Sequence, residues 1–504
     1  MRLWSSRGTV RIVLAAVAVL AVRPTVPVAA QQPGEIDYRD EPVLPGGVLG
    51  ARIESLIDVF NANDADRVQQ FLEEECAPAF RDFAPLQEHL NVFASIRRQW
   101  GRIEFHSIRL YTPPRTDQTV VILKDRNFET WRAFVLRFEG SDSLVAGLQF
   151  SDARTPTDVQ EPPLTEQGLI ASTAVLMRRI CESDIFSGTL LLAKDDEVLL
   201  THACGEASKR FHVANDIDTR FNLGSMNKMF TATAIMQLVE QGLISLQDSI
   251  SRYVDETWLP RAITNRVTIH HLITHTSGLG SYFNDMFWNS SRALYREVDD
   301  YKPLIRGEEL AFEPGAEFRY SNTGLFLLGV VIERATGERY FDYIREHIYE
   351  PAGMRHSDSY EMDLPVENLA MGYLPDPSSA YGWRNNLYQH VIKGGPAGGG
   401  FSTVGDLYRF ARALVTGRLV SPESLERMWT DHSGEGYGYG FGVEHGPAGK
   451  VVGHGGGFPG INANLDIFVD RGYVVAVMSN YSRAASPVAR EIARYIGRVE
   501  PERM

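Results

Sequence analysis

Phe221-Asn-Leu-Gly-Ser-Met-Asn-Lys-Met-Phe230, continued by Thr231-Ala-Thr-Ala-Ile-Met-Gln-Leu-Val-Glu-Gln-Gly242, is the stretch that decides the fold of this chain. Ala232, Ile235, Met236 and Val239 recur at helical spacing, and Gly242 stands where a helix-ending glycine belongs. The second half therefore predicts a buried helix. Ser225 lies at its start, with Lys228 one turn later on the same face. A serine hydroxyl is a poor nucleophile near neutral pH and needs a base within hydrogen-bond reach. A lysine serves as that base when burial lowers its pKa. The helix start adds backbone N–H groups and a positive field where an oxyanion forms. Ser-x-x-Lys also arises by chance, although Ser225 is the one serine here followed three residues later by lysine. The rest of the chain must supply the remaining chemistry.

The totals narrow the class. The 504 residues are 44% hydrophobic and 23% charged, and this length predicts two or three domains. A formal net charge of -14, with no Lys/Arg cluster against it, argues against a nucleic-acid partner. Arg2, Arg7 and Arg11 precede the apolar run Ile12-Val-Leu-Ala-Ala-Val-Ala-Val-Leu-Ala-Val22, and Val28-Ala29-Ala30 offers small residues for cleavage. Residues 1–30 are therefore expected to be an export signal and the protein periplasmic or secreted. The run is short for a bilayer span, an uncleaved anchor being the alternative, and no later segment reads as a membrane helix. The three cysteines, Cys76, Cys181 and Cys204, do not make a disulfide framework, though Cys181 and Cys204 share one region where pairing after export is open.

Residues 31–47 read as a linker. In residues 48–153 helices come first: Ile53, Leu56, Ile57 and Phe60 make an amphipathic stripe, Asn61-Ala-Asn-Asp64 breaks it, and 65–75 restarts it. Leu86, Leu90 and Phe93 mark another helix, and strand-like runs follow at 103–111, 119–124, 131–138 and 144–150. This is a small α+β domain. Residues 154–165 read as a second linker, and residues 166–498 hold the Ser225 helix, preceded by a helix at 166–181 and a strand pair at 187–194 and 197–203. Residues 499–504 are a tail.

A serine–lysine hydrolase also needs a group that returns a proton to the leaving group. In Glu313-Pro-Gly-Ala-Glu-Phe-Arg-Tyr-Ser-Asn322 the Pro-Gly turn and the following apolar helix fix Tyr320 and Asn322. Tyr320, ionised or easily ionised beside a lysine ammonium, is the candidate shuttle, and Asn322 holds either a substrate carbonyl or the lysine. A rival Tyr-x-Asn, Tyr282-Phe283-Asn284, sits among aromatic residues and reads as a cleft wall. The third constellation is Gly453-His-Gly-Gly-Gly-Phe-Pro-Gly460, followed by strands at 463–469 and 473–479. His454, Gly455 and Gly456 are expected on a strand edge as substrate-binding support, with the Gly457 N–H as an oxyanion donor. No Gly-Lys-Ser/Thr follows, so phosphate cradling is discounted. His271 and His275 have the spacing of a zinc pair, but Leu272 stands where the glutamate belongs, so no metal is expected.

Two resemblances follow from these motifs. Residues 48–153, through Ile57-Asp-Val-Phe-Asn-Ala-Asn-Asp-Ala-Asp66 and the Trp131-Arg-Ala-Phe-Val-Leu-Arg-Phe-Glu-Gly140 hairpin, resemble the NTF2-like (SnoaL-like) cone fold. Ser225-x-x-Lys228, Tyr320-x-Asn322 and His454-Gly-Gly456, in that order, resemble the serine β-lactamase-related family of class C β-lactamases, DD-carboxypeptidases and esterases. Leu272-Ile-Thr-His-Thr-Ser-Gly-Leu279, Gly398-Gly-Gly-Phe-Ser-Thr403 and Tyr437-Gly-Tyr-Gly-Phe441 add to the likeness. The resemblance implies an α/β (α+β) fold, an antiparallel sheet flanked by helices plus a helical region. It also implies an acyl-enzyme on Ser225 aided by Lys228 and Tyr320, with the N–H groups of Ser225 and Gly457 on the oxyanion. It implies no cofactor and no metal, and a small-molecule or peptide substrate. The family's antibiotic-binding members usually carry Lys-Thr-Gly at the third motif. His454 replaces that lysine, which shifts the expectation from β-lactams toward esters or other peptides.

Overall fold

The computed structural model describes residues 37–115, 117–140, 143–376 and 378–500. The expected leader, residues 1–30, lies outside them. The chain divides into two compact units between Val159 and Gln160.

In the first unit β1 (Asp37–Glu41) precedes the helices α1 (Gly47–Ala62), α2 (Ala65–Glu75) and α3 (Leu86–Trp100). The break between α1 and α2 is chemical. Asn63 ends α1 in the left-handed region, and the Asp64 carboxylate caps α2 by accepting from the Asp66 and Arg67 N–H groups. The strands β2 (Ile103–Thr112), β3 (Thr119–Asp125), β4 (Trp131–Glu139) and β5 (Leu144–Asp152) follow, and the five pair antiparallel in sequence order. Ile53, Leu56 and Phe60 of the α1 stripe are buried with Trp100 and Phe134, and the Phe134 and Phe150 rings meet edge-on at 5.3 Å. Two buried arginines are each matched to a carboxylate: Arg109 Nε to Asp40 at 2.9 Å, and Arg132 Nε to Asp125 at 2.6 Å.

One expectation fails here. The 31–47 segment is not only a linker, because β1 lies within it and pairs along its whole length with β2. Asp-Tyr-Arg-Asp-Glu has no apolar alternation. Its place is set by the Asp40–Arg109 ion pair and the ladder.

The second unit carries a six-stranded antiparallel sheet. After α4 (Glu166–Glu182) come β6 (Gly188–Lys194) and β7 (Glu197–Cys204). The chain then runs through the helical region, including α5 (Asn227–Glu240), α6 (Asn322–Thr336) and α7 (Val404–Val415). It returns as β8 (Gly442–Gly446), β9 (Gly449–Phe458), β10 (Ile461–Phe468), β11 (Tyr473–Ser479) and α8 (Ala485–Gly497). The strand order is β8-β9-β10-β11-β6-β7. α5 is buried around nearly its whole circumference, Asn227 through Met236 without a break, so it is a core helix rather than an amphipathic one. α6 packs against it and buries Thr323 through Ile332. The turn before α5 packs against β9 and β10, and the start of α6 meets the first turn of α5 through Asn322 and Lys228.

Cys181 and Cys204 form a disulfide, and Cys76 is free and buried. Leu164 and Val499 pair, with the Glu500 N–H donating to the Leu164 carbonyl at 3.1 Å. The ends of the segments read as linker and tail therefore belong to the second unit's edge. Among the described residues no helix is long and apolar enough to cross a membrane.

Candidate active site

Ser225 sits in a 3-10 turn, Gly224–Met226, that leads directly into α5. The turn is held from both sides. The Gly399 N–H donates to the Gly224 carbonyl at 3.0 Å, and the Leu223 N–H donates to the Gly400 carbonyl at 2.7 Å. Gly224 has φ +51, and a Cβ there would come within 2.8 Å of the Gly457 nitrogen. A Cβ on Gly456 would meet the Leu223 carbonyl oxygen at 1.8 Å. Gly456 therefore lets β9 lie against the serine turn, which is support for the nucleophile rather than room for a substrate. The same approach brings the Gly457 backbone nitrogen beside the turn. Ser225 is half-buried while its immediate neighbours are buried, so its side chain is the part of this turn open to the cleft.

Lys228, on the first turn of α5, is fully buried. Its Nζ donates to Asn322 Oδ1 at 3.0 Å and to the Ala397 carbonyl at 2.5 Å, and lies 4.8 Å from the centre of the Tyr320 ring. Burial pushes its ammonium well below the ordinary lysine value. Asn322 in turn donates from Nδ2 to Ser281 Oγ at 3.2 Å, which fixes its amide orientation.

Tyr320 precedes the Ser321 cap of α6, whose hydroxyl accepts from the Gly324 N–H at 2.8 Å. The Gly315 N–H donates to the Thr276 carbonyl and the Arg319 N–H to the His275 carbonyl, so the Pro-Gly turn and its sequel are laid along residues 275–276. Burial raises the Tyr320 phenol above its ordinary value, and a hydrogen bond with Ser225 opposes this. Solvent softens the push, because the residue is 40% exposed. The direction runs against the expectation of an ionised tyrosine, because burial disfavours the phenolate.

His454 lies on β9 past the last β8 pair, Gly442 with Gly453, and so on a free strand edge. Its Nδ1–H donates to the Gly455 carbonyl at 2.6 Å, and its Nε2 accepts from the Tyr437 hydroxyl at 3.1 Å. Burial lowers its pKa to about 4, so the ring is neutral at pH 7. Gly455 is exposed on the same strand.

His275, read from the sequence as a packing or hydrogen-bonding residue, is buried, accepts from the Ser321 N–H at Nδ1 (3.0 Å), and has its ring centre 4.3 Å from that of Tyr320. His271 accepts from the Thr268 N–H at a helix cap, so the zinc-like spacing serves backbone groups. Sequence reasoning missed two parts. Tyr437 backs His454, and it lies in a stretch that looked family-typical but showed no role. The Ala397 carbonyl is a backbone atom and has no sequence signature. Tyr282, the rival tyrosine, lines the cleft with Phe283.

The cleft has a volume of about 280 Å³ and is lined by Ser225, Tyr320, Asn322 and Gly457 together with Phe283, Phe458, Val391 and Ile461. An antiparallel sheet backed by helices, with a Ser-x-x-Lys turn wedged between a core helix and a glycine strand, defines a β-lactamase/transpeptidase-like fold. The family model described as Beta-lactamase matches residues 167–497, and the chain belongs to this family of serine hydrolases. Penicillin-binding protein 4* of Bacillus subtilis (strain 168) is 33% identical over 324 residues, 60% of this chain and 70% of that protein. The solved penicillin binding protein from Bacillus halodurans superposes with a TM-score of 0.59 at 30% identity, over 63% of this chain and 98% of that one. A D-stereospecific amidohydrolase from Streptomyces sp. gives 0.50 at 25% identity, over 61% and 92%.

Proposed function

We propose that this chain is an exported serine hydrolase that cleaves an ester, amide or peptide bond through an acyl-enzyme on Ser225. The observation that carries the reading is the Lys228 amine. A neutral amine has two N–H groups and one lone pair. Both N–H groups are used, on Asn322 Oδ1 and the Ala397 carbonyl. The lone pair is left for the Ser225 hydroxyl proton.

The steps follow. Lys228 takes the proton as Ser225 Oγ bonds to the carbonyl carbon, and the N–H groups of Ser225 and Gly457 stabilise the oxyanion. Tyr320 gives its proton to the leaving group as that bond breaks, and regains one from the Lys228 ammonium. Water then attacks the acyl-enzyme, losing its proton to the Tyr320–Lys228 pair, and that proton returns to Ser225 Oγ as its bond to the acyl carbon breaks and the acid leaves. His454, Gly455 and Gly456 support the strand that bears Gly457.

A second reading, a β-lactamase or DD-carboxypeptidase acting on cell-wall-type substrates, is favoured by the penicillin-binding relatives. A neutral His454 weighs against it, because it gives a substrate carboxylate no cation. A third, a non-catalytic penicillin-binding-like sensor, predicts tight ligand binding without turnover. The first unit we read as an NTF2-like accessory domain. Its core rings fill the space between helices and sheet, which supports packing over catalysis there.

The test is a parallel assay of a nitrophenyl ester, a D-amino-acid peptide and a chromogenic cephalosporin, with Ser225→Ala as control. Ester or peptide turnover above the cephalosporin rate, lost in Ser225→Ala, is expected. Turnover retained in that variant contradicts the acyl-Ser225 mechanism, and a cephalosporin rate far above the others selects the second reading.

A further inference from the structure

The cleft has two arms of different chemistry, and on the reading above each has a place for one half of the substrate. A reacting carbonyl carbon carries an oxygen, a leaving group and an acyl group. The oxygen lies between Ser225 and Gly457, and the leaving group must lie within reach of the Tyr320 hydroxyl. That side holds the phenol and imidazole cluster of Tyr320, Tyr437 and His454. The acyl group is left with the other arm, lined by Phe283, Phe458, Val391 and Ile461.

That arm is a built aromatic wall. Phe458 is the residue after Gly457, so a group resting on it is one residue from the oxyanion donor. The Phe283 and Phe458 ring centres are 5.4 Å apart, and Trp288 stacks on Phe458 at 6.0 Å with planes only 8° apart. Trp288 also stacks on Phe283 at 6.0 Å. Phe458 comes from the sheet, and Phe283 and Trp288 from the helical region, so the wall bridges the two. Behind it, Arg292 lies against the Phe287 and Trp288 rings and gives its N–H groups to the Phe287, Ser290 and Gln389 carbonyls. That guanidinium is committed to the wall and not to the cleft. Among the described residues that line the cleft there is no Asp, Glu, Lys or Arg, and His390, beside the wall, gives its Nδ1–H to the Val391 carbonyl at 2.8 Å. A charged acyl group there would lose its hydration and find no partner. An aromatic one would meet rings already held in place, at little ordering cost.

We infer that the Phe283–Phe458 arm is an acyl subsite that selects an uncharged aromatic or bulky apolar acyl group. The test compares 4-nitrophenyl acetate, phenylacetate and succinate on the full chain and on Phe458→Ala and Phe283→Leu. The wild type prefers phenylacetyl over acetyl by about tenfold or more in kcat/KM, and disfavours the anionic succinyl ester. Phe458→Ala lowers the phenylacetyl-to-acetyl ratio by about tenfold. Phe283→Leu, which keeps an apolar residue, lowers it less. Ser225-dependent turnover with no phenylacetyl preference, or with succinyl equal to it, overturns the subsite and leaves the hydrolase standing. A Ser225 adduct without phenylacetyl turnover also overturns the subsite. No ester turnover and no adduct on Ser225 overturns the hydrolase reading, and the subsite with it.

Discussion

The two units bury cations in opposite ways. In the first, Arg109 and Arg132 are almost wholly buried and each faces a buried carboxylate, Asp40 and Asp125. In the second, Lys228 is just as buried but faces only neutral acceptors, the Asn322 amide oxygen and the Ala397 carbonyl. A matched pair keeps its charge and holds strands together. An unmatched buried amine sheds its proton and becomes a base. The difference separates structure from chemistry more sharply than any motif, because all three side chains are cations by type.

The largest expected effect comes from removing the unmatched amine. Lys228→Met leaves the helix intact and deletes the base, and kcat/KM is expected to fall by about 10⁴. A loss under tenfold would assign the base elsewhere. Next comes breaking the matched side. Asp40→Asn strands the Arg109 guanidinium, and the first unit should lose about 3–5 kcal/mol, read as hydrogen exchange across its sheet. Unchanged protection would show that the pair is ornamental.

Asn322→Asp turns the second arrangement into the first. A carboxylate against Lys228 Nζ favours the ammonium, so the lysine pKa rises by about 1–3 units. The sign is fixed by the mechanism: the active form is the unprotonated amine, present above its pKa. The acid limb of kcat/KM therefore moves to higher pH, and at any pH below the limb the rate falls about tenfold for each unit. An unmoved limb would mean that Lys228 does not titrate in the reaction. The smallest effect is His454→Lys, which adds a cation at the strand edge. It should favour substrates with a free carboxylate by about tenfold over neutral ones, measured as a ratio of acylation rates.

Periodicity made most elements legible. The Ile53–Phe60 stripe and the four strand runs of the first unit needed only apolar spacing, and the Ser225 helix only its Gly242 stop. β1 was illegible because its five polar residues are placed by a partner sixty-nine residues away, Arg109. In the site, Ser225, Lys228, Tyr320 and Asn322 were legible because each sits at a helix start marked by local turn chemistry. The Phe283 loop was legible as a cleft wall and His275 as a packing residue, but Tyr437 behind His454 and the part of Phe458 in the wall were not, since they are ring contacts between segments far apart in the chain. The protonation state of Tyr320 was misjudged for a related reason. It depends on burial by segments far apart in the chain, which no spacing reveals.

The central claim is that a neutral Lys228 activates Ser225. The most direct measurement is the rate of fluorophosphonate labelling as a function of pH, with the adduct located by peptide mass spectrometry. The prediction is a single adduct on Ser225, forming faster as pH rises and levelling off well below the ordinary lysine value of 10.5. An adduct on another residue, or a Ser225 rate that climbs through 10.5 with no earlier plateau, would contradict it.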